Sequence, residues 1–480
     1  MSIRSLLWMG LLFLLPLHHT HAAPSRKEVL DGLRKAVTFF RTHATTQGTP
    51  GGYVWRWSGD LKLREGEGKA GPTTAWVQPP GTPTVGEAFL DAYQATGDTF
   101  YLDAARETAH ALSRGQLRSG GWTYRIEYDP KQRRRYAYRV DPMGKNQRNR
   151  STLDDDTTQA AVRFLIRTDR VLDFKDELIH DAALYALRFL VGSQYANGGW
   201  SVTRDEFPDS PPSAKEYPVL KASYPKSWSR PWEKDFRGCY VTNDNLILDM
   251  LDTLFLAADV YKDKKYVQAA ERAGEFIRLA QMPDPQPGWA QQYDRDMHPV
   301  WARKFEPPAI TGGESQGLMR ALLLLYRRTG NKKFLEPLPR ALAYYRKSQL
   351  PDGRLARFYE LKTNRPLYFT RTYELTYKTD DLPTHYAFLV SSGLDGIERD
   401  YRRLLENGPR PERKPSPPPR LSSSLIAQTA RILAALDERG AWVEKSQLRA
   451  YKVTPASGVI ESRTFVRNVR TLCQYLRALK

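Results

Sequence analysis

Gln194-Tyr195-Ala196-Asn197-Gly198-Gly199-Trp200 closes one apolar run and opens an irregular stretch, and its core phrase returns along the chain. Gly51-Gly52-Tyr53 and Gly120-Gly121-Trp122 come before it, and Pro287-Gly288-Trp289 and a degenerate Asp352-Gly353-Arg354 come after. A phrase recurring at intervals of roughly 65–90 residues marks a repeated supersecondary unit. The unit is helical. Val85–Thr96 places apolar residues at Val85, Phe89, Leu90 and Tyr93, stops at Thr96-Gly97-Asp98, and resumes from Phe100 to Leu112. Glycine followed by a capping Asp between two amphipathic runs predicts a tight helical hairpin. The same hairpin is expected for Thr157–Leu172 with Leu178–Ser193, Leu246–Tyr261 with Tyr266–Leu279, and Gly317–Tyr326 with Phe334–Lys347. Ser424–Leu436 and Phe465–Leu479 read as terminal helices.

Strand signals are confined to short aromatic excursions such as Trp122–Tyr128 and Ala356–Leu361. The expected fold is all-α, an α/α toroid built from repeated helical hairpins with short β excursions. A superhelical solenoid obeys the same stacking rules until its ends meet. In a toroid the inner helices start at one end, so the polar clusters that open them converge there.

Residues 1–22 read as a secretory leader. Arg4 supplies the positive region, Ser5 to Leu17 the apolar core, and Thr20-His21-Ala22 the small residues before cleavage. An apolar run of about 13 residues falls short of the ~20 that cross a bilayer. A soluble, secreted or periplasmic monomer without a membrane partner is therefore expected. Residues 23–405 form the expected catalytic toroid, 406–420 a Pro-rich spacer, and 421–480 C-terminal helices packed on the toroid. The net charge of +19 calls for an anionic partner, and export favours an acidic polysaccharide over nucleic acid. The spacing of Cys239 and Cys473 leaves their pairing open.

Four clusters precede or follow the inner helices. Ser151-Thr152-Leu153-Asp154-Asp155-Asp156-Thr157-Thr158 opens the helix that carries Arg163. One Asp suffices as an N-cap, so three in a row leave surplus charge that a cation would relieve. Tyr240-Val241-Thr242-Asn243-Asp244-Asn245 opens the next, and its Asp244 adds an oxygen ligand from a second helix start. Oxygen donors without nearby His or Cys favour Ca²⁺ or Mg²⁺ over zinc. Trp301-Ala302-Arg303-Lys304-Phe305-Glu306-Pro307-Pro308 puts an Arg in a Pro-bounded run ahead of Gly312-Gly313-Glu314-Ser315. In Ala356–Pro366, cations alternate with aromatics, a pattern that suits a sugar ring on an aromatic face and a carboxylate in a guanidinium fork.

At these clusters the chain resembles the toroidal pectate lyases of polysaccharide lyase family ten, the pectic acid lyases. The matching stretches are Arg150–Thr158 with Arg163-Phe164-Leu165, Gln194–Trp200, Thr242–Asn245, Trp289–Asp294, Ala302–Pro307 with Gly312–Ser315, and Ala356–Pro366, in the family's order. The resemblance implies cleavage of polygalacturonate (pectate) by Ca²⁺-assisted β-elimination, giving 4,5-unsaturated uronate ends. It implies Ca²⁺ on Asp154 or Asp156 together with Asp244, Arg303 as the Brønsted base, and Arg365 as a grip on substrate carboxylate. Arg357, Asn245 and Lys304 join as substrate contacts. Two departures stand out: the long Ser201–Gly238 stretch, rich in Pro, Lys and Trp, and the run Leu367-Tyr368-Phe369-Thr370-Arg371 after Arg365. From the residues alone Arg303 reads as a carboxylate clamp, since guanidinium normally keeps its proton. Three other readings compete. The Gln-Trp phrases and Leu153-Asp154-Asp155-Asp156-Thr157 also look like triterpene cyclases, an Asp pair suits a glycoside hydrolase, and the cations suit a non-catalytic binder of acidic glycans.

Overall fold

The computed structural model describes residues 23–234, 238–409 and 419–479. The leader at 1–22 lies outside them, as does most of the Pro-rich spacer, 410–418. Thirteen helices follow one another among the described residues: α1 (Arg26–Phe39), α2 (Thr82–Thr96), α3 (Thr99–Arg114), the single turn α4 (Pro130–Arg133), α5 (Thr157–Val171), α6 (Glu177–Gly192), α7 (Leu246–Tyr261), α8 (Lys264–Ala280), α9 (Glu314–Thr329), α10 (Leu338–Lys347), α11 (Leu394–Asn407), α12 (Ser423–Ala434) and α13 (Ser462–Ala478). The hairpin turns form as their sequences dictate. Gly97 takes φ +78° and returns its N–H to the Tyr93 carbonyl, and Asp98 then caps α3 through the Phe100 N–H. Gly330 and Asn331 repeat this between α9 and its partner. There the expected helix Phe334–Lys347 is broken into a short turn, Lys332–Leu335, and α10, because Pro337 and Pro339 withhold N–H donors.

One layer of helices packs in the series α13–α2–α5–α7–α9–α11, and α1, α3, α6, α8, α10 and α12 pack against it from outside. The first and last described helices meet. Phe40 stacks on Phe465 at 3.7 Å, and the Tyr475 hydroxyl donates to the Pro24 carbonyl at 2.7 Å. This repeated inner-and-outer pairing of helices is consistent with the expected helical toroid. Residues 421–479 are therefore woven into it rather than laid on it: α13 is an inner helix between α1 and α2, and strand Val459–Glu461 pairs with Arg56–Ser58.

The recurring phrase is a double lock. In two copies a Gln at the end of the outer helix donates to the loop carbonyl four residues on and to the next outer helix, and in the third Gln281 donates to the Pro287 and Pro337 carbonyls. Gln116 reaches Gly120 and Ala182, and Gln194 reaches Gly198 and Ala269. The aromatic residue then folds back, as Trp122, Trp200 and Trp289 donate their indole N–H to the carbonyls of Leu112, Leu190 and Ile277. Gly198 has φ +91°, and a Cβ there would stand 1.8 Å from the Arg272 carbonyl oxygen, so only glycine fits. A further copy, Gly440-Ala441-Trp442, has the same indole bond, Trp442 to Ile432, although no Gln precedes it.

Gln194→Ala would remove two buried hydrogen bonds, so a loss of about 2–3 kcal/mol is expected in urea unfolding. Gln349→Ala, whose bond to Gly353 is exposed, should lose less than half as much.

After each lock the excursion pairs with its neighbour in strands of two to four residues. Thr74–Trp76 joins Arg125–Glu127, Ser151–Thr152 joins Thr203–Arg204, Tyr240–Val241 joins Gln292–Tyr293, and Ala309–Thr311 joins Phe358–Glu360. These pairs fix the starts of α5, α7 and α9 at one mouth. Neither Cys239 nor Cys473 forms a disulfide, which settles the open pairing. Among the described residues no helix is long and apolar enough to cross a membrane.

Candidate active site

Two helix starts at the mouth share an unusual backbone. Asp155 and Asp156 ahead of α5 have φ +48° and +58°, and Asp244 and Asn245 ahead of α7 have φ +48° and +60°. Asp and Asn tolerate this left-handed region better than other residues with a side chain. The matching turns put Asp155 in the place of Asp244 and Asp156 in the place of Asn245. Oxygens of Asp154, Asp155 and Asp244 consequently lie within 4.8 Å of one another.

Asp156 is not brought to this cluster. Its side chain pairs instead with Arg163 on α5, whose guanidinium also donates to the Asp249 carbonyl and the Thr253 hydroxyl. Asp155 takes the position expected of Asp156, because the turn, not the helix, sets which carboxylates face the mouth.

Arg303 closes the cluster. Its Nη2 lies 3.1 Å from Asp154 Oδ2 and 3.8 Å from Asp244 Oδ2, and its Nη1 lies 3.4 Å from Glu306 Oε1. Glu306 also accepts the Arg303 backbone N–H, which shapes the turn, and Glu306 itself is buried. Around them runs a hydrogen-bonded shell. The Tyr124 hydroxyl donates to Asp154, and the Gln78 amide donates to Asp155 at 2.7 Å. The Gln291 amide reaches Asn243, Glu314 and the Tyr386 hydroxyl, while Arg357 Nη1 lies 2.6 Å from Glu314.

The other expected residues are more scattered. Arg365 is exposed and stacks 3.6 Å over the Tyr377 ring, outside the acidic cluster. The Lys304 ammonium sits 5.2 Å over Tyr373, and Asn245 lines a separate hollow with Gln316 and Arg320. The shell residues Gln78, Tyr124, Gln291, Glu314 and Tyr386 had no role in the sequence reading, whereas Glu306 was weighed only as an ion-pair partner of Arg303, a pairing that forms. Gln291 and Glu314 lay inside quoted motifs, so their place in the order was the only signal. Tyr386 lay in no motif.

Burial and mutual repulsion raise two carboxyls of the cluster. Burial, then Asp154, pushes the Asp155 carboxyl up to about 6; burial, then Asp154 and Asp155, pushes Asp244 up to about 7 against the opposing pull of Arg303. Burial alone would lower the Arg303 pKa, but Glu306, Asp154 and Asp244 outweigh it and hold the guanidinium above its usual range. One cation thus faces three carboxylates. Asp244 Oδ2 is buried and has no hydrogen-bond partner. An orphaned carboxylate oxygen among hard oxygen donors fits Ca²⁺.

The long stretch after Trp200 is fastened to the Arg303 turn. Trp232 donates its indole N–H to the Ala302 carbonyl at 2.9 Å, Trp301 donates to the Ser229 carbonyl at 2.7 Å, and Arg230 pairs with Glu360. Trp232→Phe removes one such bond beside Arg303. A roughly fivefold fall in kcat with little change in KM is expected in steady-state assays, the equivalent of ~1 kcal/mol of positioning.

Residues 116–212 match the family model described as Pectic acid lyase, in line with the motif resemblance. No curated protein matches the chain. Among solved structures, a mutant of the family 10 polysaccharide lyase from Cellvibrio cellulosa in complex with trigalacturonic acid is 18% identical, with 68% of this chain and 99% of that one covered and a TM-score of 0.43. The unmutated family 10 enzyme from the same organism is 20% identical over 67% and 97%, with a TM-score of 0.44. A GH76 α-mannanase from Bacteroides thetaiotaomicron is 11% identical over 94% and 95%, with a TM-score of 0.41. Likeness at this level says nothing of any residue's role.

Proposed function

We infer that this chain is a polysaccharide lyase of the pectic acid lyase family, matched over residues 116–212, and that it cleaves polygalacturonate outside the cytoplasm by β-elimination. The observation that carries the reading is the Arg303 guanidinium set between Asp154 and Asp244 at the mouth.

In the reaction the C5–H bond of a uronate breaks, its electron pair forms the C4–C5 double bond, and the glycosidic oxygen leaves C4. The leaving oxygen keeps the C4–O bonding pair and takes up a proton, so the proton lost at C5 is matched by one gained at the new hydroxyl and no co-reactant is consumed. Arg303 is the group placed to take the C5 proton. It must first be neutral, and in the resting site three carboxylates keep it charged. Asp154, Asp155 and Asp244 would hold Ca²⁺; bound there, the ion supplies positive charge against the substrate carboxylate and offsets the acids that hold the Arg303 proton. Tyr124 and Gln78 orient Asp154 and Asp155, and Glu306 anchors the turn that carries Arg303. The Arg303 side chain is 46% exposed, so it has room to turn toward a sugar. Arg357, held by Glu314 close to the same shell, offers a guanidinium to a uronate carboxylate.

The test is direct. The mature protein with polygalacturonate and Ca²⁺ at alkaline pH should raise the ultraviolet absorbance of a 4,5-unsaturated uronate, and chelation should abolish the rise. Reducing ends without that absorbance would mark a hydrolase, and no product at all from any uronate polymer would end the reading.

A further inference from the structure

A cavity of about 1000 Å³ lies against the acidic cluster on the Asp154 side. The two are joined through Tyr124, which lines the cavity and whose hydroxyl donates to Asp154 Oδ2 at 2.8 Å, and through Thr152, whose hydroxyl accepts the Asp154 backbone N–H. The cavity stands at the upper end of the ~300–1,000 Å³ typical of small-molecule sites. Its frame is stiff: Thr74–Trp76 pairs with Arg125–Glu127, and Ser151–Thr152 pairs with Thr203–Arg204. Trp76 and Tyr136 are buried walls. Gly66 lets the Trp76 ring lie against the backbone, since a Cβ there would stand 1.9 Å from Trp76 Cδ2.

The charges of the lining are distributed unevenly. Arg150 is held by both oxygens of Asp205, at 2.6 and 2.8 Å, and Arg125 lies 3.5 Å from Glu127. Arg148 is exposed, lies 5.9 Å over the Tyr136 ring, and has no carboxylate in ion-pair reach among the described residues. Glu67 and Glu206 also line the cavity, and both are exposed. The arrangement thus offers aromatic surface and a single uncommitted guanidinium. A pyranose presents C–H faces that pack on aromatic rings, and a uronate adds one carboxylate for a guanidinium fork.

We propose that this cavity is a distal subsite for another uronate of the same polymer, its ring against Tyr124 and its carboxylate on Arg148, which Tyr136 backs. The proposal rests on the lyase reading, and the experiment separates the two. Specificity constants for trigalacturonate and hexagalacturonate are measured from the unsaturated product for wild type, Arg148→Ala and Arg148→Lys. Wild type favours the longer substrate. Arg148→Ala lowers the hexamer-to-trimer ratio about tenfold, as loss of one charge-assisted contact implies, and Arg148→Lys restores part of it. An equal ratio in wild type and Arg148→Ala overturns the subsite. If wild type makes no unsaturated product, the lyase reading fails instead, and calorimetric binding of hexagalacturonate tests the cavity alone. Weaker binding by Arg148→Ala then supports it, and equal binding overturns it.

Discussion

Arg303→Ala is expected to lower kcat on polygalacturonate by about 10²–10⁴-fold, the usual range for removing a general base, while Ca²⁺ binding holds or tightens. The second half of this expectation distinguishes a base from a structural cation. In the resting site Arg303 is the cation that faces Asp154 and Asp244, at 3.1 and 3.8 Å. Removing it concentrates negative charge on the cluster, which favours a divalent ion and disfavours bare carboxylates. The side chain is half exposed, so its loss should change unfolding free energy by less than about 1 kcal/mol. Product absorbance, calcium titration calorimetry and a thermal melt read the three effects. An Arg303→Ala protein that keeps wild-type turnover would remove Arg303 from the chemistry.

Asp155→Asn and Asp156→Asn should separate just as sharply. Asp155 lies in the cluster with Asp154 and Asp244, whereas Asp156 pairs with Arg163 away from it. Asp155→Asn should weaken Ca²⁺ roughly a hundredfold, since it removes one of three charged ligands. Asp156→Asn should keep affinity within about threefold and cost ~1–2 kcal/mol of stability through the unpaired Arg163, a partly exposed pair. The pH dependence has a definite sign. With Asp244 raised to about 7 and Asp155 to about 6 in the metal-free protein, the ion must displace protons below those values. Affinity in wild type should therefore fall as pH is lowered from 8 to 5, most steeply near 7 and then 6. Calorimetry of the two variants with calcium decides; equal affinities would dissolve the assignment of Asp155.

The helical hairpins were legible because their signals are local: a 3.6 period, a Gly in the left-handed region and an Asp or Asn cap. The strand pairs were legible only as aromatic excursions, since their partners lie in the next repeat. Which of Asp154, Asp155 and Asp156 turns to the mouth was not legible. It depends on two consecutive positive φ values, a feature that becomes visible only when the Asp244 turn is set beside it. Arg365 illustrates the opposite error. A motif gave it a role, but the Pro366–Phe369 strand carries it to Tyr377, away from the acids. The charged shell of Glu306, Glu314, Arg357 and Arg303 also weighs against a hydrocarbon-cyclising cavity, which would need apolar walls where these groups stand.

The junction of Phe40 with Phe465 and of Pro24 with Tyr475 carries a kinetic consequence. The apolar face of α1, with Val29, Leu33 and Val37, leaves the ribosome long before the seventeen-residue helix α13 against which it packs. More than four hundred residues of synthesis separate the two surfaces. Sealing the circle is therefore a late, slow event with high contact order, and until it happens the first helix offers a bare greasy stripe to whatever escorts the nascent polypeptide.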